Sequence, residues 1–207
     1  MLQTMAAMQD THNKNVHPQW RDQGYEYYRA IWVECAELLD HFGWKWWKHQ
    51  TPDLDQVKLE IVDIWHFGLS ELMRADRLDN SAAMVLQAAG AGADGHTSDQ
   101  MSQQAFRAAV ERLASDTLNS RSFSVAAFAE VMRTLPMSYS ELFDLYVGKN
   151  VLNNFRQANG YKTGEYQKLW SGREDNEHLV EALAELDCAP EEVPVKLHAA
   201  LQARYPD

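Results

Sequence analysis

A chain of 207 residues, 45% hydrophobic and 24% charged, is long enough to bury one sizeable core and lies far from the disordered and fibrous classes. Its net charge of −11 repels nucleic-acid backbones and anionic lipid, so neither is expected as a partner. Two cysteines, Cys35 and Cys188, give no disulfide framework, no stretch of about 18 apolar residues occurs, and residues 1–15 lack the basic and apolar regions of an export signal; the expectation is a cytoplasmic protein.

The apolar pattern is helical almost throughout, with no sustained period-two alternation, which predicts an all-α fold. The first clear helix spans 25–41, with Tyr28, Trp32, Cys35, Ala36 and Leu39 as its apolar stripe and Gly43 as its stop. A longer helix spans 54–78, opened by Asp53 as N-cap, and Gln56, Glu60, Asp63 and Phe67 form a stripe of their own beside a broad apolar face. A further helix ends near Ala89. A glycine-rich loop follows over 88–98, where Gly90-x-Gly92-x-x-Gly95 matches the dinucleotide-binding pattern by letters alone; that pattern needs a preceding strand, and none is available. Helices are then predicted at 99–119, 123–134, 138–159, 174–187 and 191–204.

Two pairs of acids carry the chemistry. Glu34-x-x-Glu37 and Glu60-x-x-Asp63 each place two carboxylates on one helical face, with Cβ atoms about 5–6 Å apart. Taken alone, such pairs are usually solvated helix surface. If the two pairs face each other across packed helices, they converge on one spot and form a cage for a hard cation such as Mg²⁺ or Mn²⁺. Between them stands Trp44-Lys45-Trp46-Trp47-Lys48, in which one or two indoles close the core or one offers a stacking face for a base.

A second cluster breaks the acidic trend. From Gly148 to Arg173 five cations face a single Glu165, and Lys149, Asn153 and Arg156 share one face at i, i+4 and i+7, a stripe suited to polyphosphate. Tyr161, Lys162, Tyr166 and Trp170 follow the Gly160 turn and suggest a loop that closes over a ligand.

Seven blocks in order carry a family resemblance: Gln9-x-x-x-Asn13, Glu34-Cys35-Ala36-Glu37, Trp44-Lys45-Trp46-Trp47-Lys48, Glu60-Ile61-Val62-Asp63, Gly148-Lys149-Asn150-x-Leu152-Asn153-x-Phe155-Arg156, Gly160-Tyr161-Lys162 and Glu174-Asp175-Asn176. Together they resemble the all-α dimeric dUTP diphosphatases, within the wider MazG-like superfamily of nucleotide pyrophosphohydrolases. The resemblance implies one all-α domain over 1–207, a helical bundle with a metal site between two core helices. It leaves a helical insertion at about 79–135 and a C-terminal extension at about 177–207 without counterpart.

It further implies a homodimer that hydrolyses dUTP, and dUDP, to dUMP. Two or three Mg²⁺ ions, with Mn²⁺ as a substitute, would be held by Glu34, Glu37, Glu60 and Asp63, and Glu37 would act on the attacking water. Lys149, Asn153, Arg156 and Lys162 would bind phosphates. Gln9 and Asn13 would read the uracil edge with Trp47 stacked on the ring, and Phe67 and Asn176 would lie at the sugar. A relative acting on dCTP or other nucleotides would share the cage, and a non-enzymatic helical interaction protein would share the exposed aromatics.

Overall fold

The computed structural model describes residues 1–90, 100–135, 137–189 and 192–206, with side chains at 100–102 left aside. The chain divides into two compact units, Met1–Phe143 and Asp144–Asp207. The first contains α1 (Leu2–Val16), α2 (Tyr27–Phe42), α3 (Leu54–Arg74), α4 (Asn80–Gly90), α5 (Gln100–Ser120) and α6 (Val125–Thr134). Helix α7 (Tyr139–Ala158) runs through the division. The second unit continues with a short hairpin, β1 (Leu169–Trp170) paired antiparallel with β2 (Arg173–Glu174), then α8 (Asp175–Glu185) and α9 (Val193–Arg204). Apart from that hairpin the described residues are helical or looped, as the sequence pattern requires. Among them, no helix is long and apolar enough to cross a membrane.

Helix α3 is the axis of the first unit. Asp53 caps it as expected, its carboxylate accepting from the Gln56 amide at 3.2 Å. Val57, Leu59, Ile61, Val62, Ile64, Trp65, Leu69 and Leu72 are all buried, so α3 is covered on nearly every side, which is the mark of an internal helix. Helix α2 lies along one side, α1 along another, and α5 packs on α2. The Trp65 ring stacks on Phe128 with centroids 5.4 Å apart, and Phe123 completes this aromatic cluster. Gly68 makes room for it: a Cβ there would lie 2.6 Å from the Phe123 ring.

The stripe expected on α2 is not the one buried. Tyr27, Ile31, Cys35, Leu38 and Phe42 face the core, whereas Trp32 and Ala36 are exposed and Tyr28 and Leu39 only half-buried. The stretch 79–135 is no appendage either, since Leu86, Phe106, Val110, Leu113 and Phe128 contribute to the same core. Of the loop predicted over 88–98, residues 88–90 instead end α4, and 91–98, with the rest of the glycine pattern, lie outside the described residues.

The second unit closes around Phe155, Tyr166, Trp170 and Tyr205, whose rings meet at 5.3–6.5 Å. Trp170 is fully buried, with its indole N–H donating to the Gln167 carbonyl at 2.7 Å, so Trp170 is a core residue rather than part of a closing loop, while Tyr166 is half-buried against it. Tyr161 remains exposed on the turn Tyr161–Thr163.

Candidate active site

The pairing of α2 with α3 does bring the acids together. Carboxylate oxygens of Glu34, Glu37 and Glu60 all lie within 4.8 Å of one another. Glu60 is buried, Glu34 half-buried and Glu37 exposed, so the cluster runs from the core outward. Asp63 stands outside that threesome, yet it is the foremost like-charged neighbour of Glu34. Burial, then the charges of Asp63, Glu60 and Glu37 and a hydrogen bond to Glu60, push the Glu34 carboxyl up to about 9.

Ionised together, these carboxylates repel one another in a partly dry setting, and the conflict ends only by holding a proton or by binding a cation. A donor set made wholly of carboxylate oxygens, able to share the charge of an ion, fits a hard divalent metal. His41 Nε2 is 3.6 Å from Glu60 Oε1 and extends the polar wall; sequence reading overlooked it, although its i+4 spacing from Glu37 places it on the same face of α2. The neighbouring Cys35 thiol is buried and pushed up to about 12, mainly by that burial, and so stays neutral.

On another side of α3 lie the two amides expected to read a base. Gln9 and Asn13, one turn apart on α1, are both buried. Gln9 Nε2 donates to Asn13 Oδ1 at 3.0 Å, Gln9 Oε1 meets His66 Nδ1 at 2.6 Å, and Asn13 Nδ2 donates to Ser70 Oγ at 2.9 Å. Phe67 is half-buried beside Tyr27, with ring centroids 6.5 Å apart.

The tryptophan block closes no core. Trp44, Trp46 and Trp47 are 48%, 90% and 57% exposed, and Trp44 and Trp46 each meet Trp47 edge-on, at 5.2 and 5.5 Å. Their loop is nonetheless held: Gln50 Oε1 accepts from the Trp44 and Lys45 amides at 3.0 and 2.8 Å, and Arg107 Nε donates to the Gly43 carbonyl at 2.9 Å. Beside it opens a polar cleft of 690 Å³ walled by Lys45, Lys48, His49 and Arg107.

A family model described as dUTPase matches residues 1–161. The chain belongs to the dUTPase family. It is therefore a dUTP diphosphatase, a hydrolase of all-helical fold, and the match runs through the stretch 79–135 that had no counterpart by motif. A comparison with curated proteins finds no match.

Within the second unit of this dUTPase, three of the residues expected at phosphate, Lys149, Asn153 and Arg156, join one polar network through Asn176 and Asp175. Lys149 is almost wholly buried and donates to Asn176 Oδ1 at 2.9 Å. Arg156 grips the buried Asp175 with Nε and Nη2 at 2.7 and 2.8 Å, and its Nη1 donates to Asn153 Oδ1 at 3.1 Å. Burial alone would raise the Asp175 carboxyl; the hydrogen bonds and charge of Arg156 hold it below the usual range. The role of Asp175 is not legible in its motif block, and only its burial beside Arg156 reveals it. Lys162 is exposed on the turn after Gly160.

Proposed function

We propose that this dUTPase hydrolyses dUTP, and also dUDP, in a Mg²⁺-dependent reaction yielding dUMP and pyrophosphate or phosphate. The observation that carries the reading is the carboxylate cluster across α2 and α3, with the Glu34 carboxyl pushed up to about 9. Glu34, Glu37, Glu60 and Asp63 would hold two or three ions, with Mn²⁺ as a substitute. When bound, Mg²⁺ would supply charge neutralisation on the phosphates and a lowered pKa for water.

The remaining steps belong to the chain. Glu37, the most exposed of the acids, orients the attacking water and accepts its proton as the oxygen approaches the β-phosphorus, so that dUMP leaves on the α-phosphate side. Lys149, Arg156 and Lys162 oppose the charge that develops on the phosphates, with Asn153 holding the Arg156 fork in orientation. Gln9 and Asn13 contact the uracil edge, Trp47 stacks on the ring, and Phe67 and Asn176 approach the sugar. The exposure of Trp47 and the burial of both amides support that division of labour. A homodimer is part of the proposal, supported by the exposed Trp32 and Leu118 lining an apolar groove between α2 and α5. So is a cytoplasmic setting, supported by the two unpaired cysteines.

The test is a substrate panel of dUTP, dUDP, dCTP, dTTP and UTP, with Mg²⁺ and with chelator. Pyrophosphate release from dUTP should vanish on chelation, and Glu37→Gln or Glu60→Gln should slow it by about a hundredfold or more. Ready turnover by either variant refutes the role of the cage. Equal rates on dUTP and dCTP refute the base assignment.

A further inference from the structure

The buried relay between α1 and α3 has a direction, and the direction is fixed from one end. Ser70 Oγ lies 2.9 Å from the carbonyl oxygen of His66, one turn earlier on α3. A carbonyl only accepts, so the single hydroxyl hydrogen of Ser70 is spent there. The Asn13 atom 2.9 Å from that same Oγ must then donate, which makes it the amide nitrogen and turns Asn13 Oδ1 toward Gln9. Gln9 must donate in turn, which aims its own Oε1 at His66 Nδ1. His66 closes the relay as the Nδ1–H form. Tyr27 touches the same serine hydroxyl, and burial pushes its phenol up to about 12, so it remains an O–H group at neutral pH.

The distinction between uracil and cytosine rests on the same kind of direction. Uracil offers a carbonyl at C4 and a hydrogen on N3, whereas cytosine offers an amine and a bare nitrogen. A side-chain amide reads either, because rotating it by half a turn exchanges oxygen for NH₂ with almost no change in shape. We propose that Ser70 is a specificity-determining residue: anchored to the His66 carbonyl, it locks the polarity of Asn13 and Gln9 so that these amides match uracil and oppose cytosine. The proposal rests on Gln9 and Asn13 being the base-reading amides. Ser70 itself touches no substrate; it acts through Asn13, as a positioning residue.

The experiment measures kcat and KM for dUTP and dCTP in Mg²⁺ with Ser70→Ala, Ser70→Thr, Gln9→Ala and Asn13→Ala, alongside ¹⁵N NMR of the His66 imidazole in the full chain. Ser70→Ala should lower the dUTP-to-dCTP ratio of kcat/KM by about tenfold, the factor worth 1.4 kcal/mol, mostly through KM, since the metal cage is untouched. Ser70→Thr keeps the hydroxyl and should restore the ratio. In the unaltered protein His66 should carry hydrogen on Nδ1; in Ser70→Ala the two neutral tautomers should mix.

An Nε2–H tautomer with bare Nδ1 in the unaltered protein overturns the proposal, whether or not any variant folds. If Asn13→Ala and Gln9→Ala collapse the ratio while Ser70→Ala leaves ratio and tautomer alone, the base assignment stands and the lock alone is overturned. If Asn13→Ala and Gln9→Ala leave the ratio untouched, the base assignment falls and takes the specificity role with it.

Discussion

Replacing Glu34 by glutamine should stabilise the metal-free protein and at the same time cripple it. The Glu34 carboxyl has an ordinary value of 4.5 and sits at about 9 in the folded chain. Between those two values the folded state holds a proton that the unfolded chain has released, so stability falls as pH rises through that window and the penalty saturates above it. At pH 8 its ceiling is about 5 kcal/mol, at about 1.36 kcal/mol per pH unit from 4.5. Glu60, Glu37 and Asp63 share the repulsion and relax when it is removed, so about 1–3 kcal/mol should be recovered. Glutamine has the shape of the carboxylic acid, and its N–H can replace the proton that Glu34 offers to Glu60.

The assay is thermal melting in chelator at pH 8 and again at pH 4.5. For a chain of this size the expected gain at pH 8 is about 2–12 °C, at roughly 2–4 °C per kcal/mol, shrinking toward zero at pH 4.5. With Mg²⁺ the proposed ligand role of Glu34 requires the order to reverse, because binding to the folded state would stabilise the unaltered protein by mass action and the variant would lack a ligand. A Glu34→Gln protein that melts no higher than the parent in chelator at pH 8 refutes the claim that this cluster stores electrostatic strain.

Gly68→Ala should destabilise the first unit by about 1–3 kcal/mol in urea unfolding despite better helix propensity, because the new Cβ falls 2.6 Å from Phe123; adding Phe123→Leu should recover part of the loss. Asp175→Asn should cost about 3 kcal/mol by leaving the Arg156 charge uncompensated in a buried setting. The Asp175 carboxyl is held low in the folded chain, so its stabilisation is present above the ordinary carboxylate value and lost as pH falls through the folded one; the two proteins should converge in acid.

Elements governed by local chemistry were legible in the sequence: the Asp53 cap, the Gly43 stop with its positive φ of 90°, and the i, i+3 acids that meet across α2 and α3. What failed was governed by partners distant along the chain. Helix α2 is apolar over much of its surface, so two overlapping stripes through Cys35 satisfy helical periodicity equally well, and packing against α3 and α5 chooses the one through Ile31 and Leu38. That choice sets Glu34 directly beside Ile31 and Leu38, nearer the core than the other stripe allows. Trp170 could not be recognised as core from its neighbours alone, since Phe155, 15 positions earlier, and Tyr205, 35 later, are what bury it.

Helix α3 shows why such a site is hard to separate from a core by inspection. One face carries Glu60 and Asp63 toward α2, another carries His66 and Ser70 toward α1, and the rest is aliphatic or aromatic. From Gln56 onward nearly every face of α3 is committed, its exposed residues being Leu54 and Asp55 in the first turn, and even Gly68 is fixed by the ring it admits. The two polar faces differ in how they are satisfied. The relay to α1 is a run of hydrogen bonds in which each side chain meets the next, whereas the acids facing α2 remain in conflict until charge is brought to them. On one helix a hydrogen-bonded face thus stands beside a strained acidic one, and the charge state of the acids is coupled to folding stability.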